Sequence, residues 1–194
     1  MDTAEYWDEQ AASFDDQADH GLTDPDVRRS WAHLLTPLLN PRSLIADLGC
    51  GTGSLAVLLA ESGHRVLGVD LSPRMVSIAT AKAEQAAVPV TFAVGDAAKP
   101  PCRPHVFDVV LCRHVMWAMS DPDSTLEKWI GLLRPEGQLV LIEGRWWTGA
   151  GSTAQDMRQL VLRQREHTQV ITLDDPALWG SPTTDERFML ISRA

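Results

Sequence analysis

The chain has 194 residues, of which 44% are hydrophobic and 22% charged, a mixture typical of one globular domain with a sizeable core. We expect a single domain over residues 1–194. The formal charge of −9 disfavours a nucleic-acid partner, because phosphate backbones bind basic faces. No run approaches the roughly 18 apolar residues of a membrane span, so no membrane partner is expected.

Two further features indicate a cytoplasmic protein. The first residues, MDTAEYWDEQ, are acidic and lack the basic start and the apolar run of a signal peptide. The three cysteines, Cys50, Cys102 and Cys112, form no CxxC pair, and an odd number does not build a disulfide framework. Closely spaced Cys and His ligands are absent from the sequence, so we predict no metal site.

Helix-like and strand-like segments alternate along the chain, which predicts a parallel sheet with helices on both faces. The first 22 residues have weak periodicity, and a helix that begins at 23–25 is predicted to end at Pro41. Later helices are predicted after residues 53, 72, 121 and 152. Seven strands are predicted, at 43–48, 65–70, 90–94, 106–112, 138–143, 168–173 and 187–192. The fourth strand is the most apolar and is expected near the centre of the sheet.

The most informative stretch is the glycine turn at 47–53, DLGCGTG, between the first strand and its helix. Glycines let a backbone turn sharply and approach a ligand closely, and the following helix offers free N–H groups. Asp70 ends the second strand about twenty residues on, where it could accept hydrogen bonds from both hydroxyls of a ribose. Asp47 would repel a pyrophosphate but attract a cofactor with an ammonium and a sulfonium group.

These segments resemble a known family. LIADLGCGTG, VLGVDLS, VGDAA and FDVVLCRHVMWAM, in that order, look like successive motifs of class I S-adenosylmethionine-dependent methyltransferases. LLRPEGQLVLIE is similar to the LRPGG turn of that family, from which Glu136 departs. The resemblance covers about residues 40–145. It implies a three-layer, Rossmann-like sandwich around a seven-stranded, mostly parallel sheet with an antiparallel last strand, with residues 1–40 forming a helical lid.

The resemblance also implies how S-adenosylmethionine would bind. The glycines would line its methionine part, Asp47 would lie near its ammonium, and Asp70 would hold the ribose. Arg113 could pair with a carboxylate of the cofactor or the substrate, unless it is only a surface arginine. The full set of implied cofactor-binding residues is Asp47, Gly49, Gly51, Gly53, Asp70, Leu71, Met75, Asp96, Ala97 and Arg113.

The methyl acceptor is expected beyond the fourth and fifth strands. His114 is the candidate general base, because imidazole ordinarily titrates near neutrality, although it could equally be a packing histidine. Tryptophans present broad faces that suit a flat aromatic or cationic molecule, and core packing is their usual role. The candidate substrate-binding residues are Tyr6, Trp7, Phe14, His20, Trp117, Trp146 and Trp147.

The sequence therefore predicts methylation of a small, aromatic or planar molecule on nitrogen or oxygen. A nicotinamide-dependent oxidoreductase is an alternative, which Asp47, Ser54 and the lack of a Tyr-Lys catalytic pair disfavour. A second alternative is a protein that binds S-adenosylmethionine without transferring its methyl group.

Overall fold

The computed structural model describes residues 3–193. Seven strands form one sheet in the order β3-β2-β1-β4-β5-β7-β6. Their bounds are β1 Leu44–Leu48, β2 Arg65–Asp70, β3 Val90–Val94, β4 Phe107–Arg113, β5 Leu133–Arg145, β6 His167–Thr172 and β7 Glu186–Arg193. The outermost residues of the predicted domain, 1, 2 and 194, lie outside the described residues.

The helices alternate with the strands as the sequence pattern predicts. Four of them begin at the predicted polar caps, because the side chains of Asp24, Ser72, Asp121 and Thr153 accept hydrogen bonds from first-turn backbone N–H groups. The bounds are α1 Ala4–Gln10, α2 Ala18–Gly21, α3 Pro25–Leu35, α4 Ser54–Glu61, α5 Pro73–Gln85, α6 Pro122–Leu132 and α7 Ala154–Leu162.

The strand directions confirm the predicted fold class. Strands β1 to β5 are parallel to one another, whereas β7 is antiparallel to both of its neighbours, β5 and β6. The strand order reverses between β1 and β4, since β2 lies on one side of β1 and β4 on the other. In open sheets of this kind ligands bind at such a switch point, outside the carboxyl ends of the strands.

Alternate residues of the central strands enter two separate hydrophobic cores. Ile45 and Leu111 pack with the apolar side chains of α3 and α4, whereas Ala46 and Cys112 pack with those of α6 and α7. Because successive side chains of a strand point to opposite faces, these cores lie on the two sides of the sheet. Both central strands are therefore buried on both faces, which fixes their carboxyl ends firmly.

Two local boundaries differ from the sequence prediction. Helix α3 ends at Leu35 and continues as a 3₁₀ turn over Thr36–Leu38, well before Pro41. The reason is Pro37, which has no N–H to donate to the preceding turn. The turn predicted at 135–137 lies inside β5, where the register with β4 shifts between Phe107 and Val109. No helix within residues 3–193 is long and apolar enough to cross a membrane.

Candidate active site

A cavity of about 580 Å³ opens at the carboxyl ends of β1, β2 and β4, beside the strand order reversal. It brings together residues from distant parts of the sequence, including most of those singled out above. These are Trp7, Phe14, His20, Asp47, Gly49, Gly51, Asp70, Leu71, Met75, Asp96, Ala97, Arg113, His114, Trp117 and Trp146.

Three of the predicted site residues lie outside this cavity. Gly53 caps the start of α4 with a φ of +74°, and a Cβ there would stand 2.7 Å from Ala79. Its conformation and packing therefore require glycine without any ligand. Tyr6 is 45% exposed and packs edge-to-face on Trp7, while Trp147 is 86% exposed beyond the end of β5.

The cavity is also lined by residues that the sequence analysis did not single out. Most of them are small or apolar, and they follow β1, β3, β4 and β5, so only the neighbouring motifs could have indicated them from the sequence. The residues are Cys50, Leu55, Ala98, Val115, Ala118, Met119, Ser120, Thr148 and Ala150.

The glycine turn forms the floor of the cavity. Gly49 and Gly51 have φ values of +71° and +53°, which side chains with a Cβ rarely adopt. A Cβ on Gly51 would stand 3.0 Å from the ring of Phe14, and one on Gly49 would overlap Val115. The turn therefore presents bare backbone to the cavity, with Phe14 above it.

Asp70 ties the end of β2 to the glycine turn. Its carboxylate accepts hydrogen bonds from the backbone N–H of Gly51 at 2.8 Å and of Ser72 at 2.9 Å. Burial raises the pKa of this carboxyl, while hydrogen bonds from the backbone at Ser72, Gly51 and Leu71 lower it. A carboxylate has about four acceptor positions, so Asp70 keeps acceptor capacity for a ligand hydroxyl.

Asp47 is the second acid of the floor and is only 2% exposed. Within residues 3–193, its Oδ2 atom has no hydrogen-bond partner. Burial raises the pKa of Asp47 to about 7. The positive charge of Arg113 opposes this increase, and the negative charge of Asp70 adds to it. A buried acceptor without a partner is unusual in a native protein, and Asp47 is one of the residues that line the cavity.

These groups fit the cofactor implied by the resemblance. The unpartnered Asp47 oxygen suits an ammonium group, and the free acceptor positions of Asp70 suit ribose hydroxyls. The bare backbone at Gly51 leaves space where a side chain would otherwise project. Asp96 lies exposed at the rim, and its Oδ1 accepts from the backbone N–H of Ala98 at 2.8 Å.

The turn after β4 carries His114 and Trp117 into the cavity. His114 has a φ of +59°, and its backbone N–H donates to the carbonyl of Ile142 at 2.8 Å. The two residues after His114 are held by Glu143, a fully buried residue of β5. Its Oε1 accepts hydrogen bonds from the backbone N–H of Val115 at 2.9 Å and of Met116 at 2.7 Å. Glu143 cannot be recognised as a site residue from the sequence, because its role depends on a contact between two strands.

His114 lies among aromatic rings. It stacks on Trp179 at 6.0 Å, and Trp146 meets it edge-to-face at 5.3 Å. Burial lowers the pKa of His114 well below its ordinary value, and the charges of Arg113, His20 and Arg187 lower it further. The imidazole is therefore neutral at pH 7, and its pKa is well below the near-neutral value assumed from the sequence.

Arg113 connects the end of β4 to the segment before α3. Its guanidinium donates to the carbonyl oxygens of Asp19 and His20, the latter at 3.3 Å, and lies 5.5 Å from the ring of Trp31. Burial lowers the pKa of Arg113, and Asp19 and Asp47 oppose the shift. The guanidinium of Arg113 therefore forms hydrogen bonds with backbone carbonyl oxygens and not with the carboxylate of a ligand.

Residues 3–22, here called the N-terminal segment, lie over the cavity. Asp8 accepts from the hydroxyl of Ser72 and from the N–H of Arg74, and Asp15 pairs with Lys82 at 2.8 Å. The ring of Phe14 stacks on His20 with centroids 4.4 Å apart. The segment therefore covers the glycine turn with an aromatic layer.

Comparisons with known proteins agree with this geometry. Residues 46–141 match the family model described as a methyltransferase domain. The chain is 31% identical over 114 residues to a ubiquinone biosynthesis O-methyltransferase of Ralstonia nicotianae, covering 58% of this chain and 47% of the relative. It is 37% identical over 101 residues to the demethylmenaquinone methyltransferase of Thermus thermophilus, covering 51% and 46%. The chain thus spans about half the length of these curated relatives.

Solved structures share the fold at lower identity. A SAM-dependent methyltransferase from Aquifex aeolicus superposes with a TM-score of 0.71 at 16% identity, covering 95% of this chain and 97% of the other. The [4+2]-cyclase SpnF superposes with a TM-score of 0.73 at 19% identity, covering 84% and 80%. From its motifs, its fold and these matches, the chain belongs to the class I S-adenosylmethionine-dependent methyltransferases.

Proposed function

We propose that the protein transfers the methyl group of S-adenosylmethionine to a small planar acceptor. The observation that carries this proposal is the cavity itself. At one end it has a bare glycine turn between two buried acids, and at the other end Trp117 and Trp146 stand beside His114. A cofactor site and an aromatic acceptor site thus share one space.

The chain would contribute mainly by binding and alignment. S-adenosylmethionine supplies a methyl group that its sulfonium already activates. Asp47 would hold the ammonium of the cofactor, Asp70 its ribose and Asp96 its adenine, while the tryptophans orient the acceptor. Alignment of reacting groups is worth several kcal/mol, within the roughly 7–11 kcal/mol attributed to orientation in favourable systems.

The acceptor class is supported by the aromatic walls and by the names of the relatives. The relatives are a ubiquinone biosynthesis O-methyltransferase and a demethylmenaquinone methyltransferase, so we propose a ring-containing acceptor methylated on oxygen or nitrogen. We propose His114 as the group that receives a proton from the acceptor, a role worth about 10²–10⁴ in rate when it is needed.

We also propose that residues 1–194 act as one domain in the cytoplasm, with residues 1–40 as its lid. Cys50, Cys102 and Cys112 are free thiols over the described part of the chain, which suits a reducing compartment. The net charge of −9 suits a small-molecule substrate better than a nucleic acid.

The first test concerns Asp70. Asp70→Ala should weaken binding of S-adenosylhomocysteine about ten- to hundredfold, because hydrogen bonds to a charged acceptor are worth about 1.5–3 kcal/mol. Calorimetry would measure the affinity. Asp70→Asn is the matched variant, because it keeps the size of the side chain and one of the two oxygens that accept from the backbone N–H groups of Gly51 and Ser72. Unchanged affinity in a folded Asp70→Ala protein would contradict the ribose assignment.

A second candidate function is binding of the cofactor without methyl transfer. The fold similarity to SpnF, which is described as a [4+2]-cyclase, favours keeping this candidate. The two functions differ in one measurement. Conversion of S-adenosylmethionine to S-adenosylhomocysteine that depends on an added acceptor supports methyl transfer, whereas tight binding without conversion across a broad panel supports the second candidate.

A further inference from the structure

Two imidazoles meet at the acceptor end of the cavity, and each has one ring nitrogen without a hydrogen-bond partner among the described residues. His20 comes from the N-terminal segment and His114 from the end of β4, and their ring centroids are 6.4 Å apart. In the part of the chain that the structure describes, His20 Nδ1 and His114 Nε2 are buried and have no hydrogen-bond partner. Buried polar atoms are nearly always satisfied, so these two point to a missing ligand group.

The spacing of the two rings suits a single oxygen atom. One ligand nitrogen of His20, one of His114 and a carboxylate oxygen of Asp19 lie within 4.8 Å of one another. Two nitrogens at that separation can both reach one oxygen at the usual 2.7–3.2 Å. A neutral imidazole has one donor and one acceptor nitrogen. The pair can therefore accept a proton from a hydroxyl on one side and donate to its oxygen on the other.

The surrounding charges decide which ligand fits. Arg113 lies beside both rings, and Arg187 pairs with Asp19 at 3.5 Å. Burial and these guanidinium groups lower the pKa of both His20 and His114, so both rings are neutral at pH 7. The carboxylate of Asp19 lies 4.0 Å from His20 Nε2 and opposes the lowering of the His20 pKa, and it also pairs with Arg187.

A cation is disfavoured at this position. The same three side chains could act as metal ligands by their spacing, but a divalent ion would stand beside two guanidinium groups. An amine that gains a positive charge on methylation would meet the same repulsion. A hydroxyl that loses its proton gains negative charge, which the guanidinium groups stabilise.

We propose that His20 and His114 together bind the hydroxyl of a phenol- or enol-type acceptor, so that oxygen is the methylated atom. This inference rests on the proposed function and names its substrate class. In the step, the acceptor oxygen forms a bond to the methyl carbon as the carbon–sulfur bond breaks and its electron pair stays on sulfur. The hydroxyl proton passes to the acceptor nitrogen of one imidazole. An acidic hydroxyl is required, because the low pKa of each imidazole makes it a weak base.

The test uses matched coloured probes on the complex with S-adenosylhomocysteine. The probes are 4-nitrophenol, 4-nitroaniline and 4-nitroanisole, which share a ring and differ in the group offered to the imidazoles. We expect the complex to bind 4-nitrophenol at least about tenfold more tightly than the other two. Bound 4-nitrophenol should also ionise at a lower pH than free 4-nitrophenol, which the absorbance of the nitrophenolate would show. This measurement does not require methyl transfer.

Variants assign the effect to the two rings. His20→Ala and His114→Ala should each weaken 4-nitrophenol binding about tenfold and abolish the absorbance shift, with little change in S-adenosylhomocysteine affinity. His33→Ala is the matched control, because His33 is exposed on α3. Glutamine at position 20 should restore part of the binding, since its amide can also donate a hydrogen bond.

The outcomes separate this inference from the proposed function. If S-adenosylhomocysteine does not bind, the proposed function fails. If it binds but 4-nitrophenol shows no preference, no binding or no dependence on His20 and His114, only the hydroxyl site fails. Stoichiometric Zn²⁺ binding that is lost in both histidine variants would overturn it in favour of a metal site. Methyl transfer to 4-nitroaniline in preference to 4-nitrophenol would overturn it as well.

Discussion

Replacing Asp47 with asparagine is expected to remove a large pH dependence from the folding stability of the protein. The pKa of Asp47 is about 7 in the fold and about 3.9 in an unfolded chain. A carboxyl whose pKa is raised by folding stabilises the fold in its protonated form. This stabilisation is fully present at a pH below the pKa of the unfolded chain, and it is lost as the pH rises through the pKa of the folded protein. Between pH near 4 and pH near 8, the wild type should therefore lose about 4 kcal/mol relative to Asp47→Asn.

Cofactor binding should show the opposite pH trend. An ammonium group binds the ionised form of Asp47, so the affinity for S-adenosylhomocysteine should rise with pH up to about 7. Near pH 5 the affinity should be about a hundredfold weaker than near pH 8. The reason is that pH 5 lies about two units below the pKa of Asp47, so only about one carboxyl in a hundred is ionised before the ligand binds. Asp47→Asn should bind weakly at both pH values.

Urea unfolding and calorimetry at both pH values would check the two Asp47 expectations. Glu136→Gln is the control for removal of a charge, since Glu136 is an exposed acid at the far end of β5. If Asp47→Asn kept the full pH dependence of stability, the buried carboxyl would not be its source. If its binding kept the wild-type pH profile, Asp47 would not meet the ammonium.

Glu143 is expected to be the main support of the turn after β4. Glu143→Ala removes the acceptor of two backbone N–H groups, those of Val115 and Met116. An unsatisfied buried donor costs about 1–3 kcal/mol, so Glu143→Ala should be less stable than Glu143→Gln by roughly 2–6 kcal/mol. Glutamine keeps a carbonyl oxygen at this position and should preserve both bonds.

Hydrogen exchange at the turn would give the second readout for Glu143. The amides of residues 114–117 should exchange faster in Glu143→Ala than in Glu143→Gln, while those of β1 stay protected. Burial raises the pKa of Glu143 to about 7, so the wild type should also lose about 3 kcal/mol relative to Glu143→Gln between pH near 4 and pH near 8. Equal exchange in the two variants would show that the turn does not depend on this side chain.

The sheet and the cofactor end of the cavity could be predicted because their signals are local. Each strand is a short apolar run bounded by turn residues, and the resemblance supplied the antiparallel last strand. The glycine turn and Asp70 each directly follow or end a strand. Since the carboxyl ends of parallel strands meet at one edge, local motifs were enough to bring these residues together.

The contacts that hold the acceptor end together could not be predicted in the same way. The pairing of Asp19 with Arg187 and the bonds from Glu143 to the turn join residues far apart in the chain. Helices α1 and α2 have 7 and 4 residues, too few to form alone, so their periodicity is weak and packing on the sheet stabilises them. The low pKa of His114 depends on burial, which a single sequence does not reveal.

The attachment of the N-terminal segment has a consequence for ligand exchange. The side chains of Asp8 and Asp15 hold the first part of the segment through partly exposed polar contacts, which are each worth little, while the buried guanidinium of Arg113 holds its end. We expect the segment to open at a lower free energy than the sheet, and therefore to be the route by which the cofactor enters and the product leaves. A bound ligand that favours the closed form should slow amide exchange at residues 4–21 and leave that of β1 unchanged. The residence time of the product, more than the bond-making step, would then set the turnover rate.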